Sequence, residues 1–276
     1  MILLTGNGLS AQNVSFGMLT DVHYAEIKDN GTRKYSQSLD KVAQCIDTLN
    51  QKKVDFLIEL GDFKDMSVPP DSKATLGFLE KVETAFSRFR GDRYHVLGNH
   101  DEDCISKNQF YSIVKNSHIS QKRTYYSFQN GGYTFVVLDA CFDSISIPYD
   151  HGHFDWSDAN IPKIELKWLE NELNNSQKPV IVFVHQLLFG NSKVTIKNAD
   201  KVRNILEKCE KVKCVFHGHD HKGGYEIING IHYYTLKGMV EGDFPESNSF
   251  ALVSITKDTI RINGYGNAVS MSLPIY

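Results

Sequence analysis

No apolar run in the sequence approaches the roughly 20 residues that span a bilayer, so no transmembrane helix is expected. A C-x-x-C pair is missing too. The five cysteines, Cys45, Cys104, Cys141, Cys209 and Cys214, are odd in number and widely spread, which argues against a disulfide scaffold or a thiolate zinc site. They read as mostly buried free thiols. Basic excess is absent: 30 Lys and Arg stand against 33 Asp and Glu, a formal net charge of -3, so the footprint of a protein that binds duplex nucleic acid is not there. There is no G-x-S-x-G elbow and no cysteine beside an activating histidine motif, which leaves serine and cysteine nucleophiles unsupported.

Linkers rich in proline, or in glycine and serine, are also lacking, as are internal repeats, so residues 1–276 read as one domain. At 41% apolar content, a chain of 276 residues can bury a substantial core. The N-terminus has no basic segment, yet Leu9-Ser10-Ala11-Gln12 looks like the tail of a leader. Residues 1–13 are therefore expected to be a leader remnant or a disordered arm. A cytoplasmic protein is expected, or a periplasmic or secreted one if a signal peptide lies upstream of Gln12.

Hydrophobic periodicity supplies the elements. Val14–Thr20, Phe56–Leu60 and Tyr94–Leu97 read as strands, alternating with helices over 36–50, 73–89 and 106–114. Such alternation implies parallel βαβ units. A hairpin follows around Asn130-Gly131-Gly132, then a helix from Pro162, a strand over 180–184, a helix over 199–208 and a strand over 212–216. Four further strands read as a closing antiparallel meander. The economical fold is α/β, with two packed sheets flanked by helices. Cys141–Ile161 is a polar, aromatic-studded loop in which His151 and His153 are expected to be solvated or to face substrate.

The chemistry sits at strand ends. Asp21-Val22-His23 follows the first strand, Gly61-Asp62-Phe63-Lys64-Asp65 the second and Gly98-Asn99-His100-Asp101 the third. His185 and His217-Gly218-His219-Asp220-His221 follow two later ones. In open α/β sheets the carboxyl ends of strands are where ligands bind. Carboxylate, carboxamide and imidazole donors without thiolate suit Mn, Fe or Zn. His100 with its neighbour Asp101 suggests a catalytic pair in which a carboxylate orients an imidazole.

The series D-x-H, G-D-x-x-D, G-N-H-D, H and G-H-x-H resembles the calcineurin-like metallophosphoesterase superfamily over residues 21–221. That resemblance implies a four-layer α-β-β-α sandwich of two mixed sheets and a pair of divalent metal ions. Asp21, His23, Asp62 and His221 would hold one ion, and Asp62, Asn99, His185 and His219 the other, with Asp62 bridging. It also implies a phosphohydrolase that uses a metal-bridging hydroxide, with His100 stabilising developing charge or protonating the leaving oxygen. Asp65 would hold a ligand histidine through its other ring nitrogen.

Gly31-Thr32-Arg33-Lys34-Tyr35 and the segments Gly218–Tyr225, Gly230–His232 and Leu236–Glu241 are similar to manganese-dependent ADP-ribose/CDP-alcohol diphosphatases. Manganese is thereby favoured, and the partner implied is a small-molecule phosphoester, with no membrane and no duplex nucleic acid. Arg33 and Lys34 would bind a second phosphate. Tyr24, Tyr35, Tyr225 or Phe244 could offer a base a stacking face. Two departures stand out: Asp101 occupies a position where the diphosphatases carry Glu, and the stretch from Asp139 to Pro162 is shorter than theirs. A broad-range phosphodiesterase or phosphomonoesterase is the alternative enzyme. A non-catalytic scaffold is a third reading, against which the complete ligand set argues.

Overall fold

The computed structural model describes residues 13–120 and 123–275, so the leader or arm expected over residues 1–13 lies, Asn13 aside, outside the described residues. In the first half, strands β1 (Val14–Leu19), β2 (Phe56–Glu59) and β3 (Asp92–His95) alternate with helices α1 (Ser38–Lys52), α2 (Ser72–Phe86) and α3 (Lys107–Ile113). β1, β2 and β3 run parallel, as the alternation requires. Next come β4 (Tyr126–Asn130), β5 (Tyr133–Val137), α4 (Lys163–Asn175), β6 (Val180–Phe183), α5 (Ala199–Glu207) and β7 (Val212–His217). The chain finishes with β8 (Gly224–Ile228), β9 (Ile231–Thr235), β10 (Ser249–Ile255), β11 (Thr259–Gly266) and β12 (Met271–Pro274).

These strands form two six-stranded mixed sheets, ordered β12-β11-β10-β1-β2-β3 and β4-β5-β6-β7-β9-β8. The closing strands therefore do not form one meander. β9 pairs parallel to β7 and takes β8 with it into the second sheet, whereas β10 pairs antiparallel to β1 and carries β11 and β12 into the first. Alternating apolar residues specify a strand but not its neighbour, so the split is invisible locally.

Three apolar layers hold the sandwich together. Between the sheets, Phe16 stacks on Phe56 at a centroid distance of 4.8 Å and meets Phe135, Phe183 and Phe216 edge-on. Outside the first sheet, Val42, Ile46 and Leu49 of α1 pack with Leu79, Val82 and Phe86 of α2. Outside the second, Leu169 and Leu173 of α4 meet Val202 and Leu206 of α5. This is the α-β-β-α order. Gly17 lets α1 approach β1, since a Cβ there would lie 2.3 Å from Leu49 Cδ1.

Helix ends follow local rules. Asp71 caps α2 by accepting from the Ala74 amide at 2.7 Å, and Ser106 and Gln109 form a reciprocal box at the start of α3. α2 stops at Phe86, short of the expected Phe89, because the Arg88 and Phe89 amides tighten onto the carbonyls three residues back. Because β1, β2 and β3 share one direction and β6 and β7 another common one within their sheet, their carboxyl-end loops gather at one edge.

Candidate metal centre

Three groups of donors meet at that edge: Asp21, His23 and His221; His23, Asp62 and His100; and Asp62, His185 and His219, the ligating atoms within each lying within 4.8 Å of one another. His23 Nε2 and His221 Nε2 stand 3.2 Å apart, and His221 Nε2 is 3.2 Å from Asp21 Oδ1. Asp62 Oδ2 lies 3.6 Å from His23 Nε2 and 3.1 Å from His185 Nε2. One carboxylate oxygen thus faces both sides of the site.

The backbone is bent to achieve this. Asp21, His23, Asp62 and His219 all have positive φ, between 46° and 68°. Each non-glycine residue in that region costs about 1–2 kcal/mol, a cost typical of functional sites. Two glycines make room. A Cβ on Gly98 would lie 2.2 Å from the Asp62 amide nitrogen, and one on Gly218 would lie 2.0 Å from Thr20 Oγ1.

Outer hydrogen bonds fix three of the imidazoles. His221 Nδ1 is 2.6 Å from Glu241 Oε1, His185 Nδ1 2.8 Å from the Leu60 carbonyl, and His219 Nε2 3.1 Å from the Trp156 carbonyl. His23 Nδ1 lies 3.4 Å from Asp65 Oδ2. A carbonyl or carboxylate acceptor takes the proton of one ring nitrogen and leaves the other with a lone pair toward the cluster. Asp21 Oδ2 accepts from Thr20 Oγ1 at 2.8 Å and from the His219 amide at 3.0 Å, while its Oδ1 is buried with no hydrogen-bond partner. His185 Nε2 and both side-chain polar atoms of Asn99 are orphaned in the same way. Buried polar atoms without partners are rare. Those of Asp21 and His185 belong to the donor groups and Asn99 lines the cleft over them, and oxygen and imidazole donors of this kind fit divalent metal ions.

The carboxylates and imidazoles of the cluster perturb one another strongly. Burial alone would raise the Asp21 carboxyl, yet the His221, His23 and His185 imidazoles hold it well below the usual carboxylate range. Burial alone would lower the His221 and His185 imidazoles, but neighbouring carboxylates, Asp21 and Asp62 respectively, raise each to about 9. Burial, with His185 adding to it, pushes His219 down to about 3.

One expected pair is corrected. His100 Nδ1 is 2.7 Å from Asp65 Oδ1 and 3.5 Å from Asp103 Oδ2; Asp101 is not its partner. The Asp101 carboxylate points the other way and accepts from the amides of Asp62, Phe63 and Gly98 at 3.1, 3.0 and 2.8 Å. Its role is to hold loops together. His100 and Asp101 sit on a 3-10 turn, Asn99–Glu102, on which consecutive side chains diverge. Asp103 is in turn held by Lys64, which is wholly buried and also donates to the His100 carbonyl.

The cleft over the clusters encloses about 390 Å³ and is lined by Arg33, Asn99, His100, Trp156, Lys222 and Glu241, among others. Arg33 reaches it, with Nε 4.0 Å from Glu241 Oε1. Lys34 does not; its ammonium pairs with Asp29 and Asp243 at 3.3 and 3.4 Å. Of the aromatics expected to stack a base, Tyr24 and Tyr35 are buried in the core, and Tyr225 pairs with His232; none of them, nor Phe244, lines the cleft. Trp156, Glu241 and Lys222 do line it; Glu241 and Lys222 fall within the segments similar to the diphosphatases, whereas no motif singles out Trp156.

Fold and site together define a metal-dependent phosphoester hydrolase. A family model described as calcineurin-like phosphoesterase matches residues 14–223, and the chain belongs to that family. Among curated relatives, a manganese-dependent ADP-ribose/CDP-alcohol diphosphatase of Oryza sativa is 29% identical over 91% of this chain and 90% of its own. The protein of that description from Homo sapiens is 25% identical, again over 91% and 90%. A dimetal phosphatase from Danio rerio superposes with a TM-score of 0.82 at 23% identity, covering 95% of this chain and 99% of that one. No helix among the described residues is long and apolar enough to cross a membrane.

Proposed function

We propose that this protein hydrolyses the diphosphate bond of nucleoside diphosphate-linked sugars or alcohols, of the ADP-ribose and CDP-alcohol type, with two manganese ions. The observation that carries this reading is the cleft itself, in which two donor clusters sharing Asp62 lie beside the guanidinium of Arg33. The names of relatives matched over nine-tenths of the chain support it.

Asp21, His23, Asp62 and His221 would hold one ion and Asp62, Asn99, His185 and His219 the other. When bound, such ions supply Lewis acidity to a phosphoryl oxygen and lower the pKa of water. The protein does the rest. Burial alone would lower His100, but the Asp65 and Asp62 carboxylates hold it well above the usual imidazole range. With Nδ1 engaged by Asp65, Nε2 is the nitrogen left to give a proton to the leaving oxygen. Arg33 neutralises the second phosphate, whose charge would otherwise oppose binding.

The substrates proposed are small molecules, not duplex nucleic acid, and both sheets serve one site, which supports reading residues 1–276 as one domain. The five free cysteines, four of them buried, support a reducing compartment such as the cytoplasm. The test is turnover of ADP-ribose, CDP-choline, cyclic AMP and bis-p-nitrophenyl phosphate by protein stripped and reloaded with Mn²⁺. Release of AMP and CMP, lost on chelation and in Asp62→Asn, is expected. Turnover confined to the cyclic or aryl diester would overturn the diphosphatase reading in favour of a phosphodiesterase.

A further inference from the structure

The two sides of the cleft are chemically unlike, and each is tied to a different donor cluster. On one side Arg33 contacts Glu241, which bonds His221, a neighbour of Asp21 and His23. On the other, Trp156 gives its carbonyl to His219, a neighbour of Asp62 and His185, and its ring centroid lies 6.3 Å from that of His219. A phosphorus held at Asp62 therefore has the Arg33 guanidinium to one side and the Trp156 indole, with Lys193 near its face, to the other.

The indole is 45% exposed although it belongs to the cleft wall, and Lys193 Nζ stands 6.0 Å from its ring centroid. Its backbone is pinned before and after: the hydroxyl of buried Tyr149 donates to the Asp155 carbonyl at 2.7 Å, and Asp155 Oδ1 accepts from the Ser157 amide at 2.8 Å. An exposed aromatic face on a hydrogen-bonded loop is a surface on which a planar base can stack.

We propose that Trp156 is the base-stacking platform of the substrate site, so that the nucleoside lies on the His219 side and the distal phosphate on the Arg33 side. The inference rests on the diphosphatase reading and adds the direction in which substrate binds. It also fixes which phosphorus reacts. Water oxygen bonds to the phosphorus bearing the nucleoside, the bond from that phosphorus to the bridging oxygen breaks, and the bridging oxygen leaves on the distal phosphate with a proton from His100.

The chain has two tryptophans, Trp156 and Trp168, so Trp168→Phe leaves Trp156 as the sole indole reporter. In that variant loaded with Mg²⁺, AMP and CMP should quench the fluorescence and ribose 5-phosphate should not. Trp156→Ala, which keeps the backbone carbonyl for His219, should raise KM for ADP-ribose about tenfold or more with a smaller change in kcat, and Trp156→Phe should restore most of it. Hydrolysis in H₂¹⁸O should place the label in AMP. Quenching equal for AMP and ribose 5-phosphate, an unchanged KM in Trp156→Ala, or label in ribose 5-phosphate overturns the inference while the diphosphatase reading stands. Quenching by AMP in a protein that cleaves no diphosphate would sink that reading and keep the platform.

Discussion

Glu241 Oε1 sits 2.6 Å from His221 Nδ1 and 4.0 Å from Arg33 Nε, so one carboxylate serves both an imidazole of the metal site and the guanidinium of the cleft. The hydrogen bond from His221 is the main reason its carboxyl is held down to about 2. Glu241 is itself held in place, because the buried ammonium of Lys41 donates to the carbonyls of Met239, Glu241 and Gly242 at 2.9, 3.1 and 2.6 Å.

Removing that carboxylate frees His221 to rotate and to change tautomer. Glu241→Ala is expected to weaken Mn²⁺ binding by about 10- to 100-fold, read by calorimetric titration of the stripped protein. Wild-type affinity in the variant would show that His221 needs no such partner.

Asp65 reaches His100 with one oxygen and His23 with the other, at 2.7 and 3.4 Å. Asp65→Asn should lower kcat by about 100-fold or more, the usual range for a lost acid-base contribution. Circular dichroism should report an intact fold, and retained turnover would remove His100 from the proton path.

For Asp101 the expectation is about stability. Its carboxylate satisfies three buried amides, so Asp101→Ala should destabilise the metal-free protein by about 3 kcal/mol, measured by urea unfolding. A loss of activity with unchanged stability would instead return Asp101 to the chemistry.

His217 carries a pH signature. Burial pushes its imidazole down to about 3, and its Nε2 accepts from the Leu188 amide at 3.2 Å, so the folded state keeps it neutral. The unfolded chain takes up the proton near pH 6.5. The stability conferred is complete above that pH and declines as pH falls toward the folded value, by up to about 1.4 kcal/mol per unit. Urea unfolding of the chelated protein at pH 7, 6 and 5 should show the decline, and His217→Gln should flatten it by one proton's worth. An identical slope in the variant would place the titration elsewhere.

Much of the site was legible because strand ends are. Asp21, Asp62, Asn99, His185 and His219 each follow a strand whose apolar pattern is plain, and parallel strands deliver their ends to one edge. The partners were not. His100 finds its carboxylate 35 positions back in Asp65 and not in its neighbour, because a tight turn sends adjacent side chains apart. Lys34 misses the cleft that Arg33 enters because its ammonium is held by Asp29 and Asp243, whereas Arg33 is bridged to Glu241 at the cleft wall. Glu241 lies in a segment the resemblance includes, but its contact to His221, 20 positions away, and that of Trp156 to His219, 63 positions away, are encoded by no local pattern. β12 has no strand signal because Met271–Pro274 carries Ser272 and Pro274 and buries only Leu273, unlike the fully buried four residues of β2 or β6.

The donors come from both halves of the sandwich. Asp21, His23 and Asp62 follow strands of the first sheet, and His185, His219 and His221 follow strands of the second. His23 and His221, 198 positions apart, point their ring nitrogens at each other across the seam. An ion shared between them is topologically a cross-link that closes most of the chain into a loop, and cross-links over long loops restrict the unfolded ensemble most. Metal binding would thus tie the two sheets together and add to the stability of the folded chain.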